Sequence, residues 1–456
     1  MKRSNKSLTD GPLLSGIISY TIPIILTGLL QLLFNAADLV VVGRYRGSIA
    51  VAAVSATGAI TNLIVNLFIG LSVGAGVSVA HGLGGRQDEE VHRTVHTAIP
   101  TAFIGGVILT VIGVVFADDF LVMMQTPWDV LPYATKYMRL YFCGMTFMLL
   151  YNFASSILRA AGDTKTPLLF LSIAGVVNVA LNLIFVIKLE MHVEGVAIAT
   201  VISQAVSAIL VLIALMCRKD ACKLYIKKLR FYKAQLLKII RIGMPAGLQG
   251  SLFSISNVFI MSSFNSFNDS VLISGNGAAS NIEGFVYVIM NSLHQTAVNY
   301  IGQNVGAGKF DRVKKSYWIC MICVLVAGMT AGGLVYAFGE PLLSIYITDS
   351  QLAIEYGLRR FSIVCVTYFI CGLMDVSTGA LRGLGSSFIP MLISVLGVCG
   401  LRILWIYTIF RVPRFHTPES LYLSYPISWL VTVAAQITAF LIIYKRKSRQ
   451  ALSETA

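Results

Sequence analysis

Residues 13–43 read LLSGIISYTIPIILTGLLQLLFNAADLVVVG, a run with one ionisable side chain, Asp38, and one proline, Pro23. A helix crosses the hydrocarbon core with about 20 mostly apolar residues, so this stretch alone is long enough to span a membrane. Runs of the same kind recur at 49–81, 94–117, 132–158, 166–188, 193–217, 239–265, 270–304, 313–339, 353–381, 387–410 and 421–444. The composition matches them: of 456 residues, 56% are hydrophobic and 12% charged, against roughly 25% charged in an ordinary soluble domain. A soluble globular protein is excluded, and no soluble catalytic domain fits in what remains. The expected fold class is an all-α membrane protein with twelve transmembrane helices.

The formal charge is +14, from 35 basic and 21 acidic residues. In a membrane chain such an excess reads through the positive-inside rule rather than as a nucleic-acid footprint, so no nucleic-acid partner is expected. The longest polar segment, 218–241, carries Arg218, Lys219, Lys223, Lys227, Lys228, Arg230, Lys233, Lys238 and Arg241 against one acid, Asp220. It divides the chain into an N-terminal half, 1–217, and a C-terminal half, 242–456, each with six spans. Basic residues also crowd the start (Lys2, Arg3, Lys6) and the tail (Lys445, Arg446, Lys447, Arg449). An even number of spans between these clusters puts them on one side, the cytoplasm. Asp118, Asp119, Asp129, Glu340, Asp349 and Glu355 then fall outside, and Arg86, Arg93, Lys309, Arg312, Lys314 and Lys315 inside. No small-residue cleavage site follows the first run, so that run is expected to be a retained helix. The 218–241 segment is expected to lie as an amphipathic strap on the anionic inner leaflet, in contact with membrane lipid but without a specific lipid site. The eight cysteines lie mostly in apolar runs, and Cys320 and Cys323 have no histidine near them in sequence; packing is their expected role, and no metal site is expected.

The two halves repeat each other. Pro23 in YTIP pairs with Pro245 in IGMP, Gly84 with Gly306 and Val91 with Val313, each at an offset of 222; LRAAG at 158–162 and Pro167 pair with LRGLG at 381–385 and Pro390 at an offset of 223. One duplicated six-helix unit explains the register. Because six is even, the two bundles share an orientation about an axis along the membrane normal and are expected to leave a cleft between them.

Ionisable side chains inside the spans, away from their ends, are few: Asp38, Glu283, Asp375 and Arg402. Each is a functional candidate, because an unpaired charge in hydrocarbon costs several kcal/mol, roughly. The repeat partner of Asp38 is Ile260, so this acid belongs to one copy only. A carboxyl group away from water loses its preference for the charged form and can load and release a proton, or hold a monovalent cation with help. Asn178 and Asn182, four apart on one face of the fifth span, and Thr200 on the sixth are candidates for that help. Read alone, Asp38 is also compatible with a capped scaffold residue, and the asparagines with interhelical hydrogen bonding. Pro23 is a candidate hinge or a static kink. In the second half Arg402 lies one position from the equivalent of Asn178. A guanidinium there would replace a cation, paired with Glu283 or Asp375 in an internal salt bridge; a separate cation site using Asp375 is the other reading. Gly70, Gly74 and Gly76 favour close helix packing. VGAGKF lacks the spacing and hydroxyl of a P-loop, so transport would be driven by an ion gradient.

Pro23 with Asp38, GLGGRQDEE at 82–90 and its echo QNVGAGKFDRVKK at 303–315, ILRAAGDTKTP, the Asn178/Asn182 pair, GVAIATVISQ and GALRGLG together resemble the multidrug and toxic compound extrusion (MATE) transporters, in their DinF-related branch, over residues 13–445. The resemblance implies that Asp38, Asn178, Asn182 and Thr200 form the cation site of the N-terminal half. Asn182 stands where relatives of that branch often have aspartate, which shifts the expectation from sodium toward proton coupling. In another branch a tenth-span aspartate, with a tyrosine one turn earlier, joins a seventh-span glutamate; here Asp375 matches, whereas Cys371 and Phe253 occupy the other positions.

The expected function is thus a secondary multidrug efflux antiporter of the cytoplasmic membrane, multi-pass with both termini cytoplasmic. It would export small organic, often cationic, compounds in exchange for H+ or, second, Na+ by alternating access. No catalytic residue, no cofactor beyond the coupling ion and a monomeric state are expected. The alternative is a lipid-linked oligosaccharide flippase of the same broader superfamily. An enzyme or a channel is disfavoured, since the histidines are scattered mostly near span ends and no repeated polar filter is present.

Overall fold

The computed structural model describes residues 7–348 and 350–455; Lys2, Arg3, Lys6 and Asp349 lie outside them. Among the described residues the chain is helical, with no strand. The first eight helices are α1 Leu13–Arg46, α2 Ser48–Gly84, α3 Asp88–Val115, α4 Ala117–Met123, α5 Leu131–Cys143, α6 Met145–Ala160, α7 Lys165–Leu183 and α8 Val193–Met216. After the linker come α9 Lys233–Asn265, α10 Ser270–Gly306, α11 Phe310–Ala337, α12 Gly339–Ser344, α13 Gln351–Arg360, α14 Tyr368–Gly383, α15 Phe388–Ser394, α16 Leu401–Tyr407 and α17 Pro418–Thr455. Long and short helices follow in the same order in α1–α6 and α9–α14, as a duplicated unit requires; the single helix α7 is matched by α15 and α16 with the π turn Val395–Gly400 between them.

Among the described residues, eight helices are long and apolar enough to cross a membrane, or ten if each of two bent pairs is one span. The helices α9 and α10 are equally long, 33 and 37 residues. Polar side chains such as Gln249, Asn276, Glu283, Asn299 and Gln303 run along them and lower their hydropathy. With these two, the helical paths correspond to the twelve expected spans.

The fourth and tenth spans are not the continuous runs the sequence suggests. The pair α5 and α6 bends by 45° at Gly144, and α13 and α14 bend by 44°. In the second case a π-helical turn, Phe361–Cys365, precedes the break. Thr367 Oγ1 donates there to the carbonyls of Ile363 at 2.6 Å and Val364 at 3.2 Å, satisfying oxygens the bend releases. The repeat offset steps from 222 to 223 between Val313 and Leu381, an interval that contains this turn; a π turn takes up more residues than an α turn.

Contacts divide the chain into two compact units, one built of Ile22–Ser251 and the other of Leu8–Thr21 with Leu252–Ala456. Thus the first turns of α1 and α9 are each grouped away from the half to which the sequence division assigns them. In the first unit the cause is glycine: a Cβ on Gly70 of α2 would stand 2.1 Å from the backbone nitrogen of Gly247 in α9, and one on Gly74 2.3 Å from the carbonyl oxygen of Ile239. Only bare backbone allows that approach. In the second unit Thr21 Oγ1 shares a hydrogen bond with Thr296 Oγ1 at 2.8 Å, and Gly16 lies against the Tyr300 hydroxyl.

The linker between α8 and α9 is ordered by its own polar groups. Arg218 Nε donates to both oxygens of Asp220, at 2.9 and 3.0 Å, and Asp220 Oδ1 also accepts from the Cys222 amide at 3.1 Å. Burial, reinforced by the Asp220 charge, pushes the Cys222 thiol up to about 12, whereas Cys217 is exposed. A thiolate is the reactive form. A charged maleimide at pH 7.5 is therefore expected to label a Cys217-only variant and to leave a Cys222-only variant unlabelled until the protein is denatured; equal labelling of both would contradict the packing.

Candidate functional site

The first unit brings Asp38, Asn178, Asn182 and Thr200 together. Asp38 lies in the last third of α1 and is 8% exposed; Asn178 and Asn182 are buried on one face of α7. Asn182 Nδ2 donates to Asp38 Oδ1 and, at 3.2 Å, to Asn178 Oδ1. Thr200 Oγ1, on α8, is 3.3 Å from Asp38 Oδ2, accepts from Asn178 Nδ2 at 3.4 Å and lies 2.9 Å from the Val196 carbonyl. All partners of the carboxylate here are neutral, and among the described residues no cation is within ion-pair distance of it. Asn182 Oδ1 is buried without a donor among the described residues. The cluster therefore presents several oxygens and one formal negative charge, a set suited to a proton or a small monovalent cation.

Helix register builds this cluster. One turn before Asp38, Phe34 lays its ring on Gly175, one turn before Asn178; a Cβ on Gly175 would fall 1.7 Å from Phe34 Cζ. Below the site Arg46, at the end of α1, donates to the carbonyls of Met191 at 2.9 Å and Val186 at 2.6 Å, the latter in the π turn Ile184–Lys188 that ends α7. These contacts fix α1 against α7 on both sides of the carboxylate. A Gly175→Leu variant is expected to separate the two helices and lose gradient-driven transport, while Gly175→Ala keeps a measurable part of it; wild-type transport in Gly175→Leu would show that the register is unimportant.

Sequence reasoning missed several neighbours. Tyr137 and Tyr141 of α5 are in electrostatic reach of Asp38, and Tyr141 lies beside Gln204 of α8. Their i, i+4 spacing is the same signal that picked out the asparagines, but tyrosines at that spacing are common in packed helices. Pro23 lies inside the unbroken helix α1, and Thr27 Oγ1 donates to its carbonyl at 2.7 Å.

The second unit corrects one expectation. Arg402 pairs with neither Glu283 nor Asp375: its Nε donates to Ser428 Oγ at 3.1 Å, and its guanidinium lies over Tyr425, 4.1 Å from the ring centroid, with Trp429 at 5.7 Å. The partner of Glu283 is Arg360. Its Nε and Nη2 donate to the two carboxylate oxygens at 2.7 Å each, and Nη1 donates to Asn276 Oδ1 at 2.7 Å. Arg360 is the last residue of α13, ahead of the π turn; it lies near the start of the run 353–381 and so escaped notice as a residue close to a span end. Asp375 is buried and its Oδ2 has no hydrogen-bond partner among the described residues; its backbone carbonyl engages His294 Nδ1 at 2.7 Å. Arg382 Nη1 meets the other ring nitrogen of His294 at 3.3 Å.

Fold and site together define a multi-pass helical membrane protein with duplicated halves and a carboxylate cluster buried in one of them. A family model described as MatE matches residues 23–184 and 245–408, one stretch in each half. The chain belongs to the MatE family of membrane transporters. It is 26% identical over 436 residues to "Probable multidrug resistance protein YoeA" of Bacillus subtilis, covering 94% of this chain and 93% of that protein. It is 22% identical over 406 residues to the "FAD transporter" of Shewanella oneidensis, covering 88% of each. A solved structure of a multidrug resistance MATE family transporter of the MOP superfamily, in an outward-facing conformation, superposes with a TM-score of 0.88 at 20% identity, covering 98% of this chain and 99% of that one, and so shares its fold.

Proposed function

We propose that this protein is a multidrug efflux antiporter of the cytoplasmic membrane that exports small organic, often cationic, compounds in exchange for protons. The observation that carries the reading is Asp38: a buried carboxylate held, among the described residues, by neutral groups, Asn182 and Thr200, in a repeat whose other copy has Ile260 at that place. One carboxylate with amide and hydroxyl partners neutralises a sodium ion less well than two would, which favours the proton. The relative named as a probable multidrug resistance protein supports the multidrug part of this reading.

Protonation from outside removes the charge of Asp38, and the region of α1 around Pro23, which lacks one helical hydrogen bond, rearranges and releases cargo outward. Return of the proton to the cytoplasm restores the charged state. Such a cycle needs ion and cargo to bind the two states differently. A membrane potential supplies about 2.3 kcal/mol per charge per 100 mV, enough for a modest gradient per proton. Both termini and the basic linker are placed in the cytoplasm on the charge asymmetry, and one chain suffices as the working unit.

The test is efflux of a fluorescent organic cation from proteoliposomes under imposed proton or sodium gradients. Acceleration by the proton gradient alone is expected. Acceleration by sodium alone would overturn the coupling assignment, and no acceleration by either would favour a flippase.

Arg402 supports a second reading, export of an anionic compound. It is a buried cation with no carboxylate partner among the described residues of the second unit, and one relative is named an FAD transporter. Gradient-driven movement of an anionic dye, and not of a cationic one, in the same vesicles would favour it.

A further inference from the structure

A cavity of about 420 Å³ lies in the first unit where α3, α6 and α8 meet the basic linker. Its volume is within the range of small-ligand sites, roughly 300–1,000 Å³. Ile99 and Phe103 of α3, Leu150 of α6, Leu212 of α8 and Leu229 of the linker supply apolar wall, and Arg230 is the one charged lining residue among those described.

The linker that closes this cavity is tied to α3. The Tyr225 amide donates to His96 Nε2 at 3.0 Å, the Arg230 amide to the His96 carbonyl at 3.3 Å, and the Tyr232 amide to Thr97 Oγ1 at 3.2 Å. Phe103 is 53% exposed, and with Val107 and Val111 it continues an exposed apolar stripe along α3, a spanning helix whose outward face meets lipid. The cavity is thus an apolar extension of the lipid-facing surface, with Arg230 at an exposed position of its linker wall and its guanidinium 5.9 Å from the Tyr232 ring centroid. The charge of the linker from 221 to 241 is of one sign. Lys227, Lys228 and Lys233 flank Arg230 with no acid between 221 and 241; of the three acids in the first turn of α3, Glu89 is engaged with Arg93 and Glu90 with Lys238, and Asp88 acts on Cys222 at the other end of the linker. An occupant that is apolar at one end, anionic at the other and already present at that surface is a membrane lipid.

We propose that this cavity holds an acyl chain of one anionic glycerophospholipid, with its phosphate against Arg230. The sequence alone placed the linker on the leaflet as a diffuse basic strap. The cavity turns that contact into a site with a chain pocket beside a headgroup contact. The inference does not depend on which ion or cargo the transporter carries.

The experiment is native mass spectrometry of the full-length protein, equilibrated in neutral detergent with equimolar phosphatidylglycerol and phosphatidylcholine of identical acyl chains. The wild type is expected to retain one lipid, with phosphatidylglycerol preferred about fivefold, the factor one basic side chain confers at an anionic surface. Arg230→Gln, at an exposed position, is expected to bring the preference to near unity while a lipid is still retained. Leu212→Trp, which fills the cavity, is expected to lower retention of both lipids. Equal retention of the two lipids by the wild type overturns the proposal, as does a preference that survives Arg230→Gln, since it would then belong to the basic surface as a whole. If Leu212→Trp fails to fold, the Arg230→Gln ratio decides alone.

Discussion

Asp38→Asn is expected to reduce proton-driven efflux to the rate of passive leak while the protein remains folded and still binds its cargo. The substitution keeps the shape of the side chain and an oxygen to accept from Asn182 Nδ2, while the new amide nitrogen faces Thr200 Oγ1, a hydroxyl that can accept as well as donate, so packing against α7 and α8 changes little. What it removes is the exchange between a charged and a neutral form, and with it the link between proton movement and conformation. A ligand that does not bind the two states differently shifts nothing. The measurement is dye efflux from proteoliposomes under an imposed proton gradient, with thermal unfolding and dye binding measured in parallel. A variant that folds, binds and still transports at the wild-type driven rate would move the coupling group elsewhere. Asp375 becomes the next candidate, because Glu283 is already neutralised by Arg360.

Arg360→Met is expected to cause the largest loss of stability of any single change in the second unit. The guanidinium is bidentate to Glu283, bonded to Asn276 and packed between Tyr422 and Tyr425, with centroid distances of 5.6 and 5.3 Å. Removing one partner of a buried ion pair leaves the other charge without compensation, a cost of about 3–5 kcal/mol. Replacing both partners with apolar residues of similar volume is often neutral, so the Arg360→Met/Glu283→Leu double variant is expected to recover most of the loss. Thermal unfolding in detergent checks both. A double variant as unstable as the single one would show that the bond to Asn276 and the tyrosine faces, and not the charge pair, hold the segment. Because the ion pair lies in the other unit from Asp38, the single variant that can be purified is expected to keep a proton-dependent component of transport.

Much of this architecture is readable in the chain because the membrane is an unforgiving solvent. A long apolar run must be a helix there, since no water is present to satisfy a bare backbone, and the offset of 222 between Pro23 and Pro245 identifies the duplication without any contact information. The cluster around Asp38 was accessible for the same reason: a charge in such a run stands out, and helical spacing puts Asn178 and Asn182 on one face. The bends at Gly144 and Thr367 were not accessible, because α5 and α6, like α13 and α14, read as one apolar run whether straight or broken.

The sequence by itself therefore determined the helices, their duplication and the isolated acid, all consequences of local polarity and periodicity. Only the tertiary structure decided which charges meet. Arg402 and Glu283 were natural partners by position in the membrane, yet Arg402 faces Tyr425 and Ser428 while Glu283 is taken by Arg360. Pairing depends on the direction in which each side chain leaves its helix. That direction is set by the rotation of each helix about its own axis, by π turns such as Phe361–Cys365 and by glycine contacts such as Gly175 with Phe34. These are properties of two elements at once, which no single run of residues records.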